Sequence, residues 1–175
     1  MKGTCLLLSL TTLVGLLLTT RPAPAQDAGS QVTLPGLFSY QAPSGWKVQD
    51  SPISRYPVAF DVPQNNFAAN LNVVVQTYPD SLANYVAANR QQMSKAPVFT
   101  HFQIIDQQPF ATANGAQGIR MVVKDGVGKQ DLQQIFYFFE GAADRKFVVT
   151  ASSLEGDGGR YAPIFDASLK TFQPQ

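Results

Sequence analysis

Seven residues decide the fold: QIFYFFE, Gln134 to Glu140. Side chains along a strand alternate between its faces. Ile135, Tyr137 and Phe139 therefore point one way, and Phe136 and Phe138 the other. A strand that is apolar on both faces needs a covering layer on each. Neighbouring segments extend such a sheet by the same alternation. In NLNVVVQTY, Leu71, Val73 and Val75 share a face. In GIRMVVK, Ile119, Met121 and Val123 share one, with Arg120 and Lys124 pointing away. KFVVTAS sets Phe147, Val149 and Ala151 together, and FTHFQIIDQQPF adds a strand with His101 near its start.

Two segments have helical period and can supply the layers. The first spans about Ser81 to Lys95, with Asp80 placed to cap its free amides and Pro97 beyond its end. Its stripe is Leu82, Tyr85, Val86, Asn89 and Met93. The second spans about Tyr161 to Thr171, with Tyr161, Ile164, Phe165, Leu169 and Phe172 on one face and Pro163 expected in the first turn. Asn114–Gly115 signals a two-residue hairpin, and KDGVGKQD and EGAADRK are short connections between strands. The expected fold is α+β: strands, a helix, a four-strand antiparallel meander and a terminal helix. It forms an α/β/α sandwich whose mainly antiparallel sheet is covered by two helices.

The ends of the chain bear on where it works. Lys2 precedes an apolar run from Leu6 to Leu18, and Ala23 and Ala25 satisfy the small-x-small rule of a signal peptidase site. Crossing a bilayer takes about 20 apolar residues, more than this run offers. Residues 1–25 are therefore expected to be a cleaved signal peptide, 26–35 a flexible tether, and 36–175 a single domain. Cleavage removes Lys2, Arg21 and the only cysteine, Cys5. The basic count falls from 13 to 11 against 12 acidic residues, a formal charge of −1. Such a chain has no broad basic field for nucleic acid or anionic lipid. With no cysteine left, the domain is stabilised by packing alone.

FSYQAPSGWKV, Phe38 to Val48, carries Pro43, Ser44, Gly45 and the single tryptophan, Trp46. Proline fixes an extended entry, glycine turns the chain, and tryptophan is expected to anchor the first strands in the core. This element, with Phe60, Asp61, Val62 and Pro63, then Ser81, Leu82, Tyr85 and Val86, and finally Ser168, Leu169 and Phe172, resembles the PsbP/DcrB-like superfamily, the Mog-type α/β/α sandwich. The resemblance runs from Gly36 to Gln173 and rests on order and spacing. It implies an accessory protein: photosystem PsbP proteins help retain calcium and chloride, and DcrB-type proteins belong to the bacterial envelope without established catalysis. No metal-binding residue carries over from either.

Searching the residues for chemistry gives little. His101 is the only histidine, and no G-x-S-x-G elbow presents a serine to it. One histidine and no mature cysteine do not make a structural zinc or copper site. Glu155–Asp157 and Asp125–Asp131 put carboxylates beside glycines, as calcium loops do, yet both lack the alternating ligands and terminal glutamate of an EF-hand. A weak calcium site at either stays open. No phosphate-cradling loop is present. In VPQNNFAAN, Gln64, Asn65, Asn66 and Phe67 form an amide-rich loop with one aromatic, a contact for a protein partner.

The functional expectation is an exported protein, periplasmic or extracellular. It is expected to be non-catalytic, to need no cofactor or metal, and to bind an envelope protein through Gln64–Phe67. It is not expected to bind nucleic acid or to remain inserted in a membrane after cleavage. A hydrolase built from carboxylates is the alternative, and a photosystem-associated PsbP-like role a third.

Overall fold

Two apolar clusters, one on each side of a seven-stranded sheet, organise the molecule. A computed structural model describes residues 29–52 and 54–175; the expected signal peptide lies outside them. The strands are β1 (Gln31–Leu34), β2 (Phe38–Gln41), β3 (Lys47–Gln49), β4 (Val58–Phe60), β5 (Asn70–Thr77), β6 (Phe99–Ala111), β7 (Gln117–Val127), β8 (Gln130–Glu140), β9 (Arg145–Leu154) and β10 (Gln173–Pro174). Helix α1 is Leu82–Met93 and α2 is Gly158–Leu169, the latter entered by a short 3-10 turn at Glu155–Asp157. The large sheet runs β3-β4-β5-β9-β8-β7-β6, and every pairing in it is antiparallel.

The two-faced strand is β8, near the middle of that sheet. Its Ile135, Tyr137 and Phe139 join Leu71, Val73, Phe147, Val149 and Ala151 under α2. Phe136 and Phe138 join Met121, Val123 and Val148 under Tyr85 and Val86 of α1. The α2 side has a further cover that the helical pattern did not show. A second sheet, β1-β2-β10, lays Phe38 and Tyr40 over Phe172 and Phe147. Val32 of β1 is buried, so Gln31–Leu34, within the expected tether, is part of the domain.

Trp46 is core, 7% exposed and edge-on to Phe165 and Tyr161. Trp46 N donates to Pro43 O at 3.1 Å across a turn whose Gly45 has φ +78, the left-handed region where a side chain is strained. The phrase Phe38–Val48 thus carries the chain from the small sheet into the large one.

Three local expectations change. The helix cap is Ser81, whose hydroxyl accepts from Asn84 N at 3.2 Å, while Asp80 accepts from Ser81 N at 2.6 Å one step outside. Helix α2 begins at Gly158, three residues early, so Pro163 lies within it. The carbonyl that Pro163 leaves without an amide partner belongs to exposed Gly159, where water can serve it. At Asn114–Gly115 the loop is longer than two residues, closed by Thr112 N to Ala116 O at 3.0 Å.

Candidate functional site

The amide-rich loop is a hairpin arm extending from β4 and β5. Gln64 N donates to Phe67 O at 2.8 Å and Phe67 N to Gln64 O at 2.9 Å, with Asp61 N bonded to Ala69 O behind them. Asn65 and Asn66 form its two-residue tip at φ 50 and 61, a conformation that asparagine tolerates better than most side chains. Gln64, Asn65 and Asn66 are exposed and Phe67 is half-buried. Gln130 Nε2 donates to Asn66 O at 3.4 Å and Arg160 Nη1 to Gln64 Oε1 at 3.5 Å, long bonds that orient the tip loosely.

On one flank of the arm lies a shallow polar depression of about 580 Å³, which brings Asn65, Lys124, Asp131 and Glu155 together. Both carboxylate-glycine segments reach it. Their acids do not converge: Lys124 Nζ holds Glu155 at 2.6 Å, Asp131 lies 4.0 Å from His101, and Asp125 is buried within β7. Among the described residues, no three His, Cys, Asp or Glu side chains come together.

The other flank opens on a trough that the sequence did not mark. A helix with its side chains is about 10–12 Å wide and neighbouring strands sit about 4.8 Å apart. Helix α1 can therefore cover only two or three of seven strands, and it lies over β7 and β8. Among the described residues the same face of β3, β4 and β5 is covered only in part: Val58 is buried and the Tyr85 hydroxyl of α1 donates to Gln76 Oε1 of β5, while Val74 is left exposed. Val58 and Phe60 of β4 and Asn70, Asn72 and Val74 of β5 line one cavity there, of about 230 Å³. A second, of about 300 Å³, lies against Lys47, Gln49, Val62 and Pro63 and shares Phe60 with the first. Val62 and Val74 are 66% and 43% exposed, two of the four most exposed large apolar side chains.

Charge in the trough is sparse and uneven. Lys47 and Arg55 form no ion pair among the described residues, Arg55 lying 5.8 Å from the Tyr56 ring. Asp61, the one acid in the lining, is engaged: Oδ2 accepts from the Tyr161 hydroxyl at 2.7 Å and Oδ1 from Val62 N at 2.7 Å. Burial, reinforced by that carboxylate, pushes the Tyr161 hydroxyl up to about 12. The unengaged charge is positive.

Arg120, expected to point away from the face of Ile119, Met121 and Val123, does so and is buried on the α2 side. Its Nε donates to Asp166 Oδ1 at 2.8 Å, and the Tyr137 hydroxyl donates to the same oxygen at 2.5 Å. This network ties β7 and β8 to α2 and is accounted for by packing. Its alternation with Met121 is as expected, and it is buried because α2 covers that face.

No protein-family model matches the chain, and no curated protein matches it by sequence. Solved structures do. Cyanobacterial PsbP (CyanoP) from Synechocystis sp. PCC 6803 superposes with a TM-score of 0.61 at 12% identity, over 90% of this chain and 99% of that one. The fold is PsbP-like. A protein of unknown function from Pseudomonas aeruginosa, PA94, matches with a TM-score of 0.59 at 15% identity, over 83% of this chain and 96% of its own. LpqN, involved in cell envelope biogenesis of Mycobacterium tuberculosis, matches with a TM-score of 0.59 at 11% identity, over 85% and 86%. At these identities the likeness is one of fold.

Proposed function

We propose that the protein is an exported, non-catalytic accessory protein of the cell envelope that acts by binding another protein. The surface is the Gln64–Phe67 arm together with the trough beside it. The observation that carries this reading is the exposed apolar surface at Val62 and Val74, beside two cavities and a projecting polar arm. Exposed apolar surface rimmed by polar groups is how soluble proteins present a partner site. The acids on the other flank are paired or dispersed, and among the described residues the side chains recorded against His101 are its neighbour Thr100 at 3.5 Å and Asp131 at 4.0 Å. A DcrB-type kinship and the envelope association of LpqN are in keeping with this role.

The test is capture of partners from envelope extract on the immobilised protein. A specific partner is expected, and it should be lost with the joint change Asn66→Ala and Phe67→Ala while the melting temperature holds. A partner indifferent to that change would move the site elsewhere. Turnover of a hydrolase substrate panel, abolished by one carboxylate substitution, would overturn the class. Export has its own measurement. Mass spectrometry of the envelope form is expected to show Gln26, free or cyclised, as the first residue, and a retained Met1 or Lys2 would defeat it.

A further inference from the structure

The two ends of the large sheet are not alike. At one end β6 has 13 residues, but bulges between Phe99 and Phe102 and between Ile104 and Asp106 break its register, and Pro109 removes a donor. Bulges and proline are devices that keep an edge from pairing with another chain. At the other end β3 has neither. Among the described residues it pairs only with β4, in unbroken register from Lys47↔Phe60 to Gln49↔Val58. Its outer row of main-chain groups has no ladder partner there.

Beside this plain edge lies the 300 Å³ cavity, lined on one face of β3 by Lys47 and Gln49 and closed by Phe60, Val62 and Pro63. We propose that β3 is the docking edge for an extended segment of the protein partner, which joins the sheet as an eighth strand. The segment bears an acidic side chain opposite Lys47 and an apolar one two residues away, seated against Phe60 and Val62. This assignment rests on the partner-binding reading above and names what the partner presents.

Three features select that occupant. The free main-chain edge takes an extended polypeptide, since strand addition draws its affinity from backbone hydrogen bonds and its choice from pockets for alternate side chains. Side chains two apart share a face at a separation of about 7 Å, so one residue meets Lys47 while the next on that face reaches the cavity. The charge complement is fixed as well. Among the described residues Lys47 has no ion-pair partner, whereas Asp61 is bonded to both Tyr161 and Val62, so the cation is met by an acid. A lysine on a short edge repels basic strands and discourages self-pairing. Here it also admits an acidic one.

The experiment uses the protein purified from the envelope and two fluorescein-labelled pentapeptides, Thr-Asp-Thr-Leu-Thr and Thr-Lys-Thr-Leu-Thr, which set the charge and the leucine two residues apart on one face, read by anisotropy. The acidic peptide is expected to bind about tenfold more tightly, because it gains a favourable charge contact where the basic peptide meets a like charge. Lys47→Glu should reverse that order, and Val62→Glu should abolish binding of the acidic peptide. Val98→Glu, at the β6 end, should leave it unchanged. Both valines are largely exposed, so neither change disturbs the core. Equal binding of the two peptides, or indifference to Val62→Glu, overturns the assignment. Displacement of the peptide by dodecanoate, itself lost with Val62→Glu, would assign the cavity to an amphiphile and overturn it too. The two readings fail separately. A captured envelope partner that survives Val62→Glu but not the Asn66 and Phe67 changes defeats the docking edge and leaves the accessory role standing. Peptide binding as described, with no partner captured, does the reverse.

Discussion

Replacing Phe138 or Phe165 with alanine is expected to lower the unfolding free energy by about 3–5 kcal/mol in each case. Both rings are sealed, at 0% and 1% exposure, but on opposite sides of the sheet. Phe138 lies edge-on to Tyr85 of α1 at 6.3 Å, and Phe165 stacks on Tyr161 and meets Trp46 at 6.0 Å. Truncating either leaves a void its neighbours close only in part, so the loss exceeds the transfer of the ring to water. Because the sites share no cluster, the double change should cost close to the sum, a large part of the 5–15 kcal/mol that an ordinary domain possesses. Urea unfolding at fixed pH measures each variant. If both losses fell within error of Val98→Ala on the surface, the two-sided burial of this sheet would be refuted.

That burial was legible because the strand period is two and β8 shows apolar letters at both parities. Helix α2 was legible by its stripe, though its start was not. Gly158 and Gly159 look like loop residues until Gly158 is seen pressed against Gln133, where an added Cβ would come within 2.4 Å. The small sheet was invisible for a different reason. Its β1 has four residues and β10 two, and the pairing Gln173↔Ser39 joins segments far apart in the chain, which no local pattern encodes. Arg120 was placed on the right face, but its burial was not legible, because its partner Asp166 lies 46 residues on.

The candidate site was legible at its tip alone. Gln64–Phe67 stood out as amides around one aromatic. The trough behind it arises from coverage: one helix crosses part of a wide sheet, and which strands it leaves bare depends on the order β5-β9-β8 set by pairing. Val62 and Val74 sit in apolar patterns that look like core. Among the described residues nothing buries them, and that makes them surface.

Asp125→Asn is expected to stabilise the protein at neutral pH by about 2–3 kcal/mol and to leave it unchanged below pH 4. Asp125 was one of the acids weighed for a calcium loop. It lies instead inside β7, fully buried, between Phe102 and Leu132 across the ladder, and neither carboxyl oxygen has a hydrogen-bond partner. Desolvation raises it from 3.8 to about 6, opposed in part by His101 on β6. His101 lies over Gly126, on the face opposite the Asp125 side chain: an added Cβ would lie 2.8 Å from the imidazole and 2.1 Å from Thr100 Oγ1. The carboxyl therefore holds its proton more tightly folded than unfolded. Its contribution is fully present below about pH 4 and is lost as pH rises through about 6, because ionisation inside the sheet is penalised while ionisation in the open chain is not. Asparagine keeps the shape and cannot ionise, so the variant should lack that decline. Urea titrations at pH 4, 5, 6 and 7.5 would show two curves that coincide at the acid end and diverge through pH 5–6, with the variant above. Parallel profiles for parent and Asp125→Asn would show that the carboxyl is satisfied in solution and that burial does not set its ionisation.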